Sequence, residues 1–223
     1  LPINIQYVQI TNTNDRLYPK QKSTIQVSNY NGSVKFSSYH SDVASVDNSG
    51  VITAKKPGWT CIKVELSNGY VSGYVINVAK DKKMIKLVKQ AEKIFSTWKY
   101  SQKRRGKKGY YDCSSLVWRV YKENKKIKFG TSYYGTTYTE LPWCKKKCKY
   151  LGSNRNSTKY NFQLGDILFD LKKKNSSPYH VETFAGYEFQ GFDENGKPIL
   201  SGTWIFGSNY CKYVKIYRPT AKK

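Results

Sequence analysis

The stretch CIKVELSNGYVSGYVINVAKDKKMIKLVKQAEKIFSTW, Cys61–Trp98, changes its period half-way along. Up to Ala79 it reads as strand: Cys61–Leu66 and Tyr70–Val78 are alternating or β-branched runs parted by the turn pair Asn68-Gly69. From Asp81 the apolar residues Met84, Ile85, Leu87, Val88, Ala91, Ile94, Phe95 and Trp98 form the stripe of an amphipathic helix, with Asp81 as its cap. One domain therefore ends and another begins at about residues 80–83.

Before that boundary the runs Ile3–Ile10, Thr24–Val27, Val34–Ser37 and Val51–Ala54 are punctuated by Asn31-Gly32, Asn48-Ser49-Gly50 and Pro57-Gly58. Short strands at this spacing predict a small all-β sandwich over residues 1–80. After the boundary, a basic loop from Ser101 to Gly109 precedes a second helix beginning near Cys113. Residues 128–160 lack a clear period and read as a long loop region. From Phe162 the texture is again β, in GDILFD, HVETFAGYEF, PILSGTWIF and YVKIYR, with a strong turn at Asp193-Glu194-Asn195-Gly196.

The chain has 223 residues, with 39 Lys and Arg against 15 Asp and Glu, so its net charge is 39 − 15 = +24. A hydrophobic content of 39% and an aromatic content of 15% argue against disorder at that charge. The charge favours a polyanion: nucleic acid, anionic lipid, or a bacterial wall carrying phosphate polymers. The excess is +4 over residues 1–80 and +20 over 81–223, although Lys runs read equally well as solvated loops. Only six of the cations are Arg, the planar fork suited to base edges, and no groove-reading helix motif stands out, so no nucleic-acid partner is expected. No apolar run approaches the ~20 residues of a transmembrane helix. The chain opens Leu1-Pro2-Ile3-Asn4 without initiator Met or apolar signal core, which reads as a mature or trimmed chain. Five cysteines are too sparse for a disulfide scaffold, and Cys144 with Cys148 lacks the companions of a zinc site, so neither metal nor cofactor is expected. Disulfides such as Cys144–Cys148 remain open.

Chemistry points to Cys113. It opens a helix, where the partial positive charge favours a thiolate, and a thiolate needs a base. The chain offers only His40 and His180. A Cys at a helix start facing a His on a strand is the arrangement of covalent acyl transfer, although both residue types are also common as core or structural groups.

Three ordered strings sharpen this reading: YDCSSLVWRVY around Cys113, LGDILFD around Asp166, and YHVETFAGY around His180. Together they resemble the NlpC-type (NlpC and p-sixty) family of bacterial cell-wall cysteine peptidases. Upstream, FSSYHSDVASVDNSGVITAKKPGWTCIKVEL resembles the second half of a bacterial immunoglobulin-like domain of group 2, a spacer or adhesion module of surface proteins. The resemblances imply a multidomain chain: an all-β immunoglobulin-like sandwich over 1–80 and an α+β papain-like cysteine peptidase domain over 81–223. They imply a secreted peptidoglycan hydrolase of the bacterial cell wall or surface. It would cleave stem peptides after the γ-D-glutamyl residue, with anionic wall polymers as surroundings. Cys113 would attack the carbonyl, His180 would take the thiol proton, and Tyr111, Asp112 and Ser114 would bind the stem's free amino terminus. From chemistry alone, Asp112 also reads as a helix N-cap.

One departure from the family pattern stands out. The third polar residue that orients the imidazole falls on Ile205, which cannot hydrogen-bond. Glu182 is the expected substitute, since i and i+2 share one face of a strand; Thr203 and Asn209 are weaker candidates. Leu164 stands where the family often has Pro. The alternatives are an N-acetylmuramoyl-L-alanine amidase of the same fold, or a non-catalytic wall-binding or adhesion protein with a decayed site.

Overall fold

A computed structural model describes residues 8–154, 162–207 and 211–220. The chain divides into two compact units, Leu1–Lys80 with Tyr187–Ser201, and Asp81–Gly186 with Gly202–Lys223.

In the first unit, β1 (Gln9–Asn12), β3 (Lys22–Ser28), β6 (Val51–Ala54) and β5 (Ala44–Val46) form one four-stranded sheet in the order β1-β3-β6-β5. A second, ordered β2-β8-β7-β4, is built from β2 (Arg16–Leu17), β8 (Val71–Val78), β7 (Gly58–Leu66) and β4 (Val34–Ser38). Alternation delivers Leu17, Ile25, Ile52, Ile62, Val64, Ile76 and Val78 to one shared core. The turn before β6 needs its glycine. Gly50 has φ +78°, and a Cβ there would meet the Ile25 carbonyl oxygen 2.5 Å away. His40 packs edge-on to Tyr39 and Trp59 in this unit, at centroid distances of 4.6 and 4.7 Å.

The second unit opens with α1 (Lys82–Thr97), whose Asp81 cap accepts from the Met84 amide. Its buried residues Met84, Leu87, Val88, Ala91 and Ile94 belong to the stripe read from the sequence, whereas Phe95 of that stripe is exposed and Trp98 is the C-cap. The short strands β9 (Lys99–Tyr100) and β10 (Tyr110–Tyr111) pair in parallel and lead into α2 (Cys113–Lys125). Next come α3 (Thr137–Lys147) and β11 (Lys149–Gly152). A five-stranded sheet, ordered β11-β15-β12-β13-β14, joins β11 to β12 (Ile167–Leu171), β13 (Pro178–Phe192), β14 (Pro198–Ile205) and β15 (Tyr213–Arg218).

The expected papain-like α+β architecture is corrected here. Among the described residues the chain is mostly β, 41% strand against 20% helix, with three helices, and no papain-like domain is evident. The physical reason is where the chain places its length. The helices hold only 16, 13 and 11 residues. The hairpin of β13 and β14 takes 15 and 8 residues, and its outer part, Tyr187–Ser201, groups with the first unit. The expected loop region 128–160 also carries α3 and β11.

Candidate functional site

Of the candidate side chains, His40 lies in the first unit, Asn209 falls outside the described residues, and the others lie on described parts of the second unit. Cys113 is the first residue of α2. Asp112, in extended conformation, caps that helix by accepting from the Ser115 amide at 2.8 Å, and the Ser115 hydroxyl accepts from the Asp112 amide at 2.9 Å. This reciprocal box fixes where the sulfur stands. Cys113 is 8% exposed. Burial pushes its thiol up to about 12, with the charges of Asp112 and Glu140 adding to the rise and hydrogen bonds from the backbone of Val181 and Ser114 opposing it. The Val181 contact places the sulfur against β13 at the residue that follows His180.

His180 pairs with Asp170 across β12 and β13, and Glu182 shares its face two residues on. Its Nε2 lies 2.6 Å from the carbonyl oxygen of Phe206 and 4.0 Å from Oε1 of Glu182. Glu182 is buried beside the ring, but the acceptor within hydrogen-bond reach of Nε2 is the Phe206 carbonyl. Phe206 has φ +64° and follows Ile205 at the end of β14. Its ring packs on those of His180, Tyr100, Tyr111 and Phe95, at centroid distances from 4.7 to 5.9 Å.

The three residues expected to bind an amino terminus are buried and bonded within the chain. Tyr111 turns its hydroxyl to the Phe95 carbonyl at 3.4 Å. The Ser114 hydroxyl contacts Asp112 Oδ1 at 3.3 Å. Asp112 Oδ2 accepts from Arg105 Nη1 at 3.0 Å, and the same nitrogen reaches Ser114 Oγ and the Gly135 carbonyl, both at 3.3 Å. A cation from the chain itself thus sits on Asp112.

The sequence reading missed Arg105, the Phe206 carbonyl, Asp170 and Glu140. Glu140, on the first turn of α3, is fully buried and neither carboxylate oxygen has a hydrogen-bond partner. Burial drives its carboxyl well above the usual range, Asp112 adds to this and Arg105 opposes it. Asp170, His180 and Glu182 bring ligand atoms within 4.8 Å of one another, a donor set of imidazole and two carboxylates that suits a divalent transition-metal ion. The five cysteines are free thiols.

No protein-family model matches the chain, and no curated protein matches it in sequence. Several solved structures show a distant likeness. Domains 4 and 5 of the S-layer protein SbsC align at 20% identity over 33% of this chain and 51% of that one, with a TM-score of 0.26. Intimin in complex with Tir90 aligns at 21% identity over 44% of this chain and 58% of that one, with a TM-score of 0.27. An intimin mutant of EHEC O157:H7 aligns at 14% identity over 61% and 64%, with a TM-score of 0.27. The chain thus spans only 51% and 58% of the first two proteins' lengths, and likenesses of this size establish neither a shared fold nor a shared activity. No helix among the described residues is long and apolar enough to cross a membrane.

Proposed function

We propose that the second unit is a thiol-dependent hydrolase of peptidoglycan stem peptides, acting at the bacterial cell wall or surface, with Cys113 as nucleophile and His180 as base. The observation that carries this reading is the bond of His180 Nε2 to the Phe206 carbonyl. A carbonyl can only accept, so Nε2 keeps its proton and Nδ1 presents a lone pair, the tautomer a base requires. Cys113 stands at a helix N-terminus beside the next residue of the same strand, where backbone donors favour negative charge on sulfur and on a developing oxyanion. In the reaction, the imidazole takes the thiol proton as sulfur attacks the carbonyl, then returns it to the leaving amine; water releases the acyl group. Glu182 supplies a nearby negative charge for the imidazolium. The γ-D-glutamyl bond is the proposed point of cleavage, and an amidase acting on the muramoyl–L-alanine bond is distinguished by its products.

A second reading is favoured by one observation: the Cys113 thiol is buried and pushed up to about 12, the state of an inert core cysteine. The chain would then be a wall-binding or adhesive protein with a silent site. Digestion of purified peptidoglycan with mass spectrometry of the products separates the two. Hydrolysis predicts new peptide termini from the wild type and none from Cys113→Ala. The silent-site reading predicts no release from either, with wall binding unchanged by the substitution.

A further inference from the structure

A cleft of about 590 Å³ in the second unit is lined by Tyr150, Ser153, Lys174, Asn175, Lys212, Tyr213, Val214 and Lys215. That size falls within the ~300–1,000 Å³ of ordinary ligand sites. It is built where β11 and β15 meet the turn that follows β12. Three of the lining residues are lysines, four more carry hydroxyl or amide groups, and none is acidic. Three lysines in the lining of one concavity give it a positive field, which its low-dielectric walls focus.

We propose that this cleft binds a phosphodiester polymer of polyol or sugar units, of the kind that makes a bacterial wall anionic. Lysine ammoniums act as point charges toward phosphate, and the tyrosine, serine and asparagine groups match the hydroxyls between phosphates. A single-stranded nucleic acid would instead call for open aromatic faces on which bases stack. Each ring here already has a partner on one side. Tyr150 packs on Tyr217 at 5.3 Å, and the Lys212 ammonium lies 5.8 Å from the centre of the Tyr213 ring. The cleft gives the chain's charge a defined address, and its occupancy does not depend on whether Cys113 is reactive.

The test measures binding of the full chain to soluble poly(glycerol phosphate) by titration calorimetry across a salt series. Lys174→Ala/Lys212→Ala/Lys215→Ala is compared with Lys145→Ala/Lys146→Ala/Lys147→Ala, which removes the same charge from the end of α3. The cleft variant is expected to lose at least ~10-fold in affinity and to flatten the dependence of log K on log salt, as fewer phosphates are neutralised. The control is expected to lose less than about threefold, and both are expected to keep the wild-type melting temperature. Equal losses in the two variants would show diffuse attraction and overturn the proposal. So would tighter binding of a single-stranded oligonucleotide of equal charge. Absence of peptidoglycan cleavage by the wild type, with polymer binding intact, would count against the hydrolase reading alone.

Discussion

The imidazole of His180 is held by a backbone group, the carbonyl of Phe206 at 2.6 Å from Nε2, while the carboxylate of Glu182 stands 4.0 Å from the same nitrogen. A main-chain carbonyl is placed to supply the orienting bond. Phe206 presents its carbonyl from a left-handed backbone conformation, φ +64°, which costs a non-glycine residue ~1–2 kcal/mol and is seated by its ring contacts. Glu182→Gln should therefore leave the Nε2–H tautomer in place, read by ¹⁵N chemical shifts, and should lower hydrolysis by less than ~10-fold. An Nδ1–H tautomer in the wild type, or complete loss of activity in Glu182→Gln, would return the orienting role to the carboxylate.

Arg105 holds Asp112 across a partly buried ion pair, the guanidinium side chain 28% and the carboxylate 6% exposed. Arg105→Met leaves that carboxylate facing Glu140 with no cation. The expected cost in urea unfolding is roughly 2 kcal/mol, discounted from the ~3–5 kcal/mol of a fully buried pair because water reaches the arginine. Arg105→Met/Asp112→Asn should recover most of it, since asparagine still caps α2. Equal destabilisation by the single and double changes would show that the cost does not come from the stranded carboxylate.

Glu140 links stability to pH. Its carboxyl titrates higher folded than unfolded, so the native state holds the proton more tightly. The associated stability is fully present below the ordinary glutamate range, near pH 4.3, and is lost as pH rises through the folded value. Glu140→Gln removes that loss. Its melting temperature should exceed the wild type by a few degrees at neutral pH, on the scale of ~2–4 °C per kcal/mol, with the gap closing below pH 4. A pH-independent difference, or a less stable variant at neutral pH, would show the carboxylate to be well accommodated.

Asp166 is buried at the start of β12 and receives a fork from Arg218, Nε at 2.8 Å and Nη2 at 2.7 Å, together with the Gln163 amide at 2.9 Å. Burial raises its pKa despite these donors. Arg218→Met should cost ~3–5 kcal/mol by stranding the carboxylate, and Arg218→Lys should rescue little because an ammonium cannot reproduce the fork. Calorimetric unfolding of both variants decides this; near-complete rescue by lysine would reduce the pair to simple charge. The adjoining Gly165 has φ +84° and a backbone against Met84 and Tyr121, so its substitution should destabilise the same corner.

Much of the local structure is legible in the residues. The stripe from Met84 to Ile94 and the cap at Asp81 mark α1, and Asp112 before Cys113 marks the start of α2. The alternating runs from Thr24 to Val78 mark β3, β4, β6, β7 and β8, while the short β2 and β5 give no run of their own and most of the run Ile3–Ile10 lies outside the described residues. What escapes has a physical cause in each case. α3 buries Thr137, Glu140, Leu141 and Cys144 at helical spacing, but two of the four are polar, so no hydrophobic period shows. The acceptor on His180 is a main-chain carbonyl, which no residue letter signals. Arg105 sits in a lysine-rich loop whose residues all look equally solvated, and only the fold brings it to Asp112. The resemblance to a peptidase family implies an α+β architecture, whereas strand outweighs helix two to one, since β1–β8 alone hold more residues than the three helices together and the β13–β14 hairpin adds to them.

The most direct test of the proposed site is the alkylation rate of Cys113 by iodoacetamide at pH 7, mapped by peptide mass spectrometry in the wild type and in His180→Ala. A buried thiol titrating at about 12 reacts slowly unaided, so reactivity at neutral pH must come from the imidazole. The account predicts that Cys113 is modified at least ~10-fold faster in the wild type than in His180→Ala, while Cys148 and Cys211 react alike in both. Equal rates at Cys113 in the two proteins would contradict it.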